Sequence, residues 1–187
     1  MFQQLLVELA RALNRREIEY MIIGGQAVLI YGEFRLTRDI DITLGVGEER
    51  LQEILDLATE LRLHVSVEHP QEFVRDTMVL PCLDPASDIR IDFIFSNSEY
   101  ERQALQRVHR VSLGEEEICY ASLEDLVIHK MITARPRDLE DVRSILLKNQ
   151  NVDQEYIQSW LGQFEEALDM SFLSMFETLW KETQKKL

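Results

Sequence analysis

The sequence predicts an α/β (α+β) fold, in which a mixed β-sheet is flanked by helices and followed by a helical C-terminal part. Up to about residue 121, short apolar or alternating runs typical of strands are interspersed with amphipathic helical segments. From residue 122 onwards, apolar residues recur at helical spacing. The 187 residues, 45% of them hydrophobic, can supply a proper core, which disfavours a disordered chain.

Two periodicities distinguish the predicted elements of the first part of the chain. Apolar residues at helical spacing predict helices at residues 2–15, 26–31 and 48–61. Continuous apolar runs or strict alternation predict strands at residues 20–23, 39–44, 64–69, 74–80 and 89–95, with weaker candidates at 107–111 and 117–120. Residues 84–88 have the composition of a turn.

The second part of the chain is predicted to be helical. Ser122, followed by the acidic residues Glu124 and Asp125, fits a helix N-cap. Helices are expected at about residues 123–134, 138–148, 154–167 and 171–184. We therefore assign residues 1–121 to an α/β core and residues 122–187 to a helical region packed on it. The aromatic residues of the helical region are expected in its interior. Any of them that are exposed would suit an interface with a second copy of the chain, in a homo-oligomer, or with a partner.

Composition and charge disfavour several classes of protein. The net charge of −14 argues against broad, sequence-independent binding of nucleic acid, because phosphate contacts require Lys and Arg. No apolar run approaches the ~20 residues that span a bilayer, and no basic region of a secretory signal precedes the first apolar residues. Cys82 and Cys119 have no paired spacing and are expected to be reduced core thiols. Together these features predict a cytoplasmic protein.

Gly24 and Gly25 lie between a predicted strand and a predicted helix. Glycines at such a position allow a tight turn and a close approach of the backbone to a ligand, while the helix N-terminus offers free N–H groups to phosphate. The alternative is a purely structural role, because the turn itself needs glycine.

Three aspartates lie on predicted strands. Asp39 and Asp41 are two residues apart, so both carboxylates project from one face, where their repulsion favours a cation between them. The alternative is an edge strand whose acidic face lies in water. Asp92 lies within an apolar strand, where an unpaired carboxylate is costly to bury, so it either meets a cation or faces solvent. A neighbouring strand that brought Asp92 beside the other two would complete a three-carboxylate metal site.

Such a site suits two-metal phosphoryl transfer. Hard ions such as Mg²⁺ or Mn²⁺ bind carboxylate oxygens together with the phosphates of a substrate. One ion would hold a triphosphate, and the other would lower the pKa of an attacking hydroxyl. Asp92 is our candidate for the base that accepts the hydroxyl proton.

These motifs resemble the signature of the DNA polymerase beta-like nucleotidyltransferase superfamily: a Gly-Gly turn after a strand, Asp-x-Asp on a strand, and a third Asp on a later strand. The interval between Gly25 and Asp39 holds thirteen residues, within that family's usual range. The run from Arg35 through Thr37 to Asp41 is similar to the R-x-T-x-D-I-D motif of the AbiEii-type branch, which includes toxins of bacterial toxin–antitoxin systems. Residues 80–96, 122–130 and 135–141 also resemble that branch, and the resemblance covers about residues 18–148.

The resemblance implies a set of site residues and ligands, which are an NTP and Mg²⁺ or Mn²⁺. The catalytic and metal-binding residues would be Asp39, Asp41 and Asp92. The nucleotide-binding residues would be Gly24, Gly25, Arg35, Thr37, Lys130 and Asp138. Each of the last three has a plainer alternative. Thr37 would be a turn hydroxyl, Lys130 a surface lysine on an amphipathic helix, and Asp138 a residue that only stabilises the helix dipole. As a site residue, Asp138 would pair with Lys130.

The resemblance also implies that residues 1–121 form a nucleotidyltransferase catalytic core, which moves a nucleoside monophosphate from an NTP to a hydroxyl acceptor. The leading hypothesis is an active enzyme of this kind in a toxin-like role, with tRNA or protein as acceptor and a cognate antitoxin as partner. The second is an enzyme that modifies a small molecule such as an antibiotic. The acidic net charge of the protein has little effect on this alternative. The third is a non-catalytic nucleotide-binding or partner-binding module. The presence of all three carboxylates and both glycines argues against the third.

Overall fold

The computed structural model of the chain describes residues 2–34, 36–96 and 98–185. Within these residues it has the mixed α/β fold that the sequence predicts, with a seven-stranded sheet and nine α-helices. The chain divides into two compact units. Residues 1–26 and 36–121 make up the first unit, and residues 27–35 and 122–187 make up the second. Residues 27–35, which the sequence assigns to the α/β core, therefore group with the helical unit.

The sheet lies in the first unit and combines parallel and antiparallel strand pairs. In chain order its strands are β1 (Tyr20–Ile23), β2 (Asp39–Leu44), β3 (His64–Val65), β4 (Val79–Asp84), β5 (Ile89–Phe95), β6 (His109–Leu113) and β7 (Glu116–Tyr120). Their order in the sheet is β3-β4-β5-β2-β1-β7-β6. β2 runs parallel to β5, and β1 runs parallel to β7. The remaining neighbouring pairs are antiparallel, so the sheet is mixed, as predicted.

Alternation along β2 and β5 gives these strands a buried face and an open face. The residues on the buried face are Ile40, Ile42, Ile89, Ile91, Phe93 and Phe95. The residues between them point the other way, because successive side chains of a strand alternate. Asp39 and Arg90 are exposed, and Asp41 and Asp92 are half-buried. Along β2 and β5, one face therefore supplies the apolar core and the other carries charge.

The described residues form nine α-helices, and all except those at Pro70–Thr77 and Glu99–Gln106, which are not predicted, begin and end close to where the apolar periodicity predicts. They are α1 (Phe2–Arg15), α2 (Gly24–Tyr31), α3 (Leu51–Glu60), α4 (Pro70–Thr77), α5 (Glu99–Gln106), α6 (Leu123–Thr133), α7 (Pro136–Lys148), α8 (Gln154–Leu168) and α9 (Phe172–Gln184). A 3₁₀ turn at Glu48–Arg50 replaces the start of the helix predicted at 48–61. The predicted N-cap is confirmed, because Oγ of Ser122 accepts a hydrogen bond from the backbone N–H of Asp125 at 3.1 Å.

Two predicted strands differ from the structure. Residues 74–80, expected as one strand, contain the end of α4 and the start of β4, and the strand predicted at 64–69 is only His64–Val65. Pro70 begins α4, where its missing N–H has no cost, and Met78 ends it with a left-handed φ of 58°. Only Val74 of this helix is buried, so the sequence lacks the apolar stripe by which a helix is recognised.

α6 packs against α7, α8 and α9 in the second unit. Asp125 in its first turn is buried and accepts hydrogen bonds from the hydroxyls of Ser122, at 2.6 Å, and Tyr156, at 2.9 Å. Because Tyr156 belongs to α8, this carboxylate links the two helices. Of the aromatic residues expected inside this region, Trp160, Phe172 and Phe176 are buried, whereas Phe164 and Trp180 are half-buried.

The end of α2 is held in the second unit by two hydrogen bonds to its carbonyl groups. Nζ of Lys148 donates to the carbonyl of Gly32, and Nδ2 of Asn149 donates to the carbonyl of Tyr31, both at 2.8 Å. Gly32 is itself closely packed, since a Cβ there would lie 2.8 Å from Oγ of Ser144. These contacts explain why residues 27–35 group with the helices rather than with the sheet.

The two cysteines are buried free thiols, as the sequence predicts. Burial raises the pKa of Cys82 to about 12, so its thiol is protonated at neutral pH. In the described part of the chain, no helix has the length and apolar character needed to cross a membrane.

Candidate functional site

Four charged side chains form a group on the open face of the sheet, on the adjacent strands β2 and β5. The register pairs Asp39 with Arg90 and Asp41 with Asp92. Paired residues of neighbouring strands lie about 4.8 Å apart and point to the same face. The three predicted carboxylates are therefore neighbours, and Arg90 is the fourth member of their group.

The Gly24 turn lies on the other side of β2 from β5. β1 pairs with β2 so that Ile23, the residue before the turn, is opposite Asp41. Gly24 has a φ of +64°, and a Cβ built on it would lie 1.9 Å from Oδ2 of Asp41. Glycine therefore allows the Asp41 carboxylate to lie directly against the turn. Gly25 follows, buried, as the second residue of α2.

Asp92 is half-buried, and its two oxygens have different surroundings. Its side chain is 21% exposed, and Oδ2 lies 3.3 Å from Nη2 of Arg90. Oδ1 is buried and has no hydrogen-bond partner among the residues that the structure describes. Burial raises the pKa of Asp92 and Asp39 raises it further, whereas Arg90 lowers it, and the pKa lies above its ordinary value. The carboxylate is suited to accept a proton or to contact a cation.

A divalent cation suits the chemistry of this donor set. Mg²⁺ is usually held by one or two carboxylates and completes its shell with water and substrate phosphates. Asp39, Asp41 and Asp92 offer only carboxylate oxygens. Across residues 2–34, 36–96 and 98–185, no three Asp, Glu, His or Cys side chains are arranged to hold one ion by themselves. The face therefore offers carboxylates for a cation that also binds a substrate, and the three-carboxylate metal site stays a prediction.

The segment that leads into β2 contributes backbone contacts to the site. The carbonyl of Arg38 accepts a hydrogen bond from the backbone N–H of Arg90 at 3.2 Å, which extends the pairing of β2 with β5. Gln26 is buried, and its Nε2 lies 3.5 Å from the carbonyl of Asp39. Thr37 is half-buried, and Arg35 lies outside the described residues. The nucleotide-binding roles of Arg35 and Thr37 therefore stay predictions.

Lys130 is buried in the second unit, so the surface-lysine alternative is wrong. The residue is 4% exposed, and its Nζ lies 2.8 Å from Oδ1 of Asp138 and 2.7 Å from Oδ2 of Asp141. Thr133 donates a further hydrogen bond to Asp138 at 2.8 Å. Burial raises the pKa of Asp138, but the hydrogen bonds from Lys130 and Thr133 outweigh this and hold the pKa below its ordinary value. The expected pairing of Lys130 with Asp138 is present, and it ties α6 to α7.

Arg90 and Asp141 are not among the site residues that the sequence predicts. Arg90 is two residues before Asp92, so the alternation that places Asp39 and Asp41 on one face also places Arg90 beside Asp92. Asp141 is three residues after Asp138, a spacing that puts both on one side of a helix. Both signals are present in the sequence, but the partners across strands and helices become evident only in the fold.

Gly24→Ala is expected to lower the free energy of unfolding by more than Gly114→Ala. Both glycines have a positive φ, +64° and +67°, so alanine costs about 1–2 kcal/mol of backbone strain at each. A Cβ at Gly114 meets no heavy atom within 4 Å, whereas one at Gly24 must displace the Asp41 carboxylate. Urea denaturation of both variants measures the difference. Equal losses would contradict the close contact between Gly24 and Asp41.

Lys130→Met is expected to lower the free energy of unfolding by about 3–5 kcal/mol, because it leaves two largely buried carboxylates without their cation. Lys181→Met is the matched control. It removes a lysine whose side chain is 71% exposed and which pairs with Glu177, and such surface pairs contribute less than about 1 kcal/mol. Chemical denaturation compares the two. A Lys130 variant as stable as the control would rule out a structural role for the Lys130 ion pairs.

Comparison with solved structures finds the same fold in proteins of low sequence identity. The antibiotic-resistance factor ANT(2'')-Ia, solved in solution, is 16% identical with a TM-score of 0.62, over 89% of this chain and 94% of that one. An antigenic nucleotidyltransferase-like protein from Paracoccidioides brasiliensis is 18% identical with a TM-score of 0.53, over 89% of this chain and 88% of that one. A putative nucleotidyltransferase from Thermotoga maritima is 15% identical with a TM-score of 0.51, over 79% of this chain and 94% of that one.

At these identities the likeness shows a shared fold. No curated protein matches the sequence. A family model does match, over residues 2–187, and its description is "Nucleotidyltransferase of unknown function (DUF6036)". This match identifies a nucleotidyltransferase family, and it does not confirm the AbiEii-type branch. Because the match spans nearly the whole chain, the protein belongs to this nucleotidyltransferase family.

Proposed function

We propose that the chain transfers a nucleoside monophosphate from an NTP to a hydroxyl acceptor, with divalent metal held by Asp39, Asp41 and Asp92. The acceptor oxygen forms a bond to the α-phosphorus of the NTP. The bond between the α- and β-phosphates breaks, pyrophosphate leaves, and Asp92 accepts the hydroxyl proton. Mg²⁺ or Mn²⁺, when bound, would neutralise phosphate charge and lower the pKa of the attacking hydroxyl.

The observation that carries this proposal is the placement of Asp41 between the Gly24 turn and Asp92. Asp41 lies against Gly24 on one side and is the register partner of Asp92 on the other. The N-terminus of α2 beside Gly24 offers N–H groups that suit a phosphate chain. The raised pKa of Asp92 makes its carboxylate a better proton acceptor than an ordinary aspartate. Phosphate binding, metal binding and proton acceptance are thus available on adjacent strands.

Further nucleotide-binding roles rest on the motif resemblance. We assign them to Gly25, Arg35, Thr37, Lys130 and Asp138. Lys130 already contacts two carboxylates, and an ammonium group has three donors. A phosphate would therefore use the third donor or replace one of the carboxylates. If a phosphate contacts Lys130 in this way, Lys130→Met should weaken NTP binding by the folded fraction of the variant.

The acceptor is the part of the function on which the sequence bears least. The AbiEii-type resemblance favours a toxin-like role, with tRNA or protein as acceptor and a cognate antitoxin as partner. The net charge of −14 favours a small hydroxylated molecule, or a short tRNA end, over extended RNA. ANT(2'')-Ia has been crystallised with adenylyl-2''-tobramycin, so a protein of this fold has a small-molecule ligand of that kind. A small-molecule acceptor is therefore the second candidate function.

The direct test is incubation of the purified protein with α-labelled NTPs, Mg²⁺ or Mn²⁺, and separate fractions of cellular RNA, protein and metabolites. Transfer of label into one fraction is expected, and EDTA should abolish it. Asp92→Asn should lower the rate by about 10²–10⁴-fold, the usual contribution of a general base. Asp76→Asn is the control, because the Asp76 side chain is 72% exposed and contacts only Arg75 among the ion pairs found.

The labelled fraction identifies the acceptor class. Gly24→Ala should lose transfer and Gly114→Ala should retain it, because only the first disturbs Asp41. Absence of label in every fraction, with metal present, would contradict the proposed reaction and favour a non-catalytic binding module. Unchanged turnover in Asp92→Asn would remove Asp92 from the mechanism.

A further inference from the structure

We propose that Arg90 is a positioning residue for Asp92: it holds Oδ2 of the carboxylate and so leaves Oδ1 as the oxygen that takes part in the reaction. This inference rests on the proposed function, because it assigns an atom to the proton transfer described there. It goes beyond that function by giving a role to an arginine that the motifs do not assign. The backbone of β5, the contacts of each carboxylate oxygen and the exposure of the arginine support this role.

The backbone places Arg90 on the carboxylate face in a defined position. Arg90 and Asp92 are two residues apart on β5, so both side chains project from the same face. On β2 the register partner of Arg90 is Asp39. The backbone N–H of Arg90 also donates to the carbonyl of Arg38 at 3.2 Å, which fixes the position of its Cα beside the start of β2.

The two oxygens of Asp92 differ in a way that assigns their roles. Nη2 of Arg90 donates a long hydrogen bond of 3.3 Å to Oδ2, whereas charge-assisted bonds of this kind are typically about 2.7–2.9 Å. Oδ1 is buried, and the described residues offer it no hydrogen-bond partner. A buried oxygen without a hydrogen-bond partner is costly unless a ligand supplies the missing contact. The guanidinium thus contacts one oxygen and leaves the other for the metal ion and the acceptor hydroxyl of the proposed reaction.

The exposure of the pair separates a positioning role from a structural one. The Arg90 side chain is 62% exposed, whereas that of Asp92 is 21% exposed. Pairs in which one partner is so exposed contribute little to stability. The planar guanidinium with its fixed donors can nevertheless restrict the rotation of a neighbouring carboxylate. Arg90 is therefore expected to affect the geometry of Asp92 more than the stability of the fold.

Three variants test this role by kinetics. Arg90→Met, which keeps an unbranched apolar side chain and removes the guanidinium, should lower kcat by about 10- to 100-fold, the loss typical of a group that orients a site residue. KM for the NTP should stay within about twofold, since Arg90 is assigned no contact with it. Arg90→Lys should recover part of kcat because it restores the charge. Arg102→Met is the matched control, as Arg102 is 61% exposed and pairs with Glu99 at 2.9 Å.

A double-mutant cycle distinguishes action through Asp92 from direct contact with a substrate. If Arg90 acts through Asp92, Arg90→Met should cause no further loss of kcat in an Asp92→Asn background. A further loss as large as that in the wild-type background would overturn the proposal. A kcat of Arg90→Met equal to that of Arg102→Met would overturn it as well.

A crystallographic measurement tests the proposal without an activity assay. The Asp92 carboxylate should keep a single orientation in the wild-type protein, with Oδ2 towards Arg90, and should turn or occupy several orientations in Arg90→Met. An unchanged orientation in the variant would overturn the positioning role. Absence of nucleotidyl transfer in the wild-type protein would instead contradict the proposed function, and the crystallographic comparison would still test Arg90.

Discussion

The parallel register of β2 and β5 is the constraint on which the candidate site depends. It sets Asp41 beside Asp92 and Asp39 beside Arg90. A slip of one residue along either strand would turn its charged side chains towards the buried face and its apolar side chains towards solvent. Burial of the apolar residues, such as Ile40 and Ile91, which have no exposed surface, therefore fixes the same register that groups the charges. The pairing of β2 with β5 therefore determines both the core and the site.

Electrostatics explains why this face suits a cation-dependent reaction. Three carboxylates and one guanidinium leave an excess of negative charge. Burial raises the pKa of Asp92, Arg90 lowers it, and Asp39 raises it to a smaller extent. The Asp41 carboxylate lies against the Gly24 turn, which no residue with a Cβ could allow without displacing it. A divalent ion and the phosphates it carries would relieve the repulsion and use the N-terminus of α2. Lys130 is a separate case, because in the second unit its charge is already neutralised by Asp138 and Asp141.

The sequence predicts those features that depend on local periodicity. Strict alternation places Asp39 and Asp41 on one face, and apolar spacing locates the four C-terminal helices. It does not locate α4, in which only Val74 is buried, and although α5 begins with a capping box of Ser98 and Glu101, its apolar residues are too few to reveal it. The register that pairs Asp92 with Asp41 and the contact of Lys130 with Asp141 could not be predicted either, since they depend on which strand or helix lies alongside. Such pairings are set by tertiary packing and not by spacing along the chain.

The central claim is that the carboxylates of β2 and β5 bind a divalent cation, and thermal unfolding with increasing Mg²⁺ or Mn²⁺ tests it most directly. An ion that binds only the folded protein raises the melting temperature of the protein as the ion concentration increases. The wild-type protein should show this rise, and Asp41→Asn, which loses one carboxylate and relieves part of the repulsion, should show little or none. An equal rise in both proteins, or no rise in the wild type, would contradict a metal site on this face.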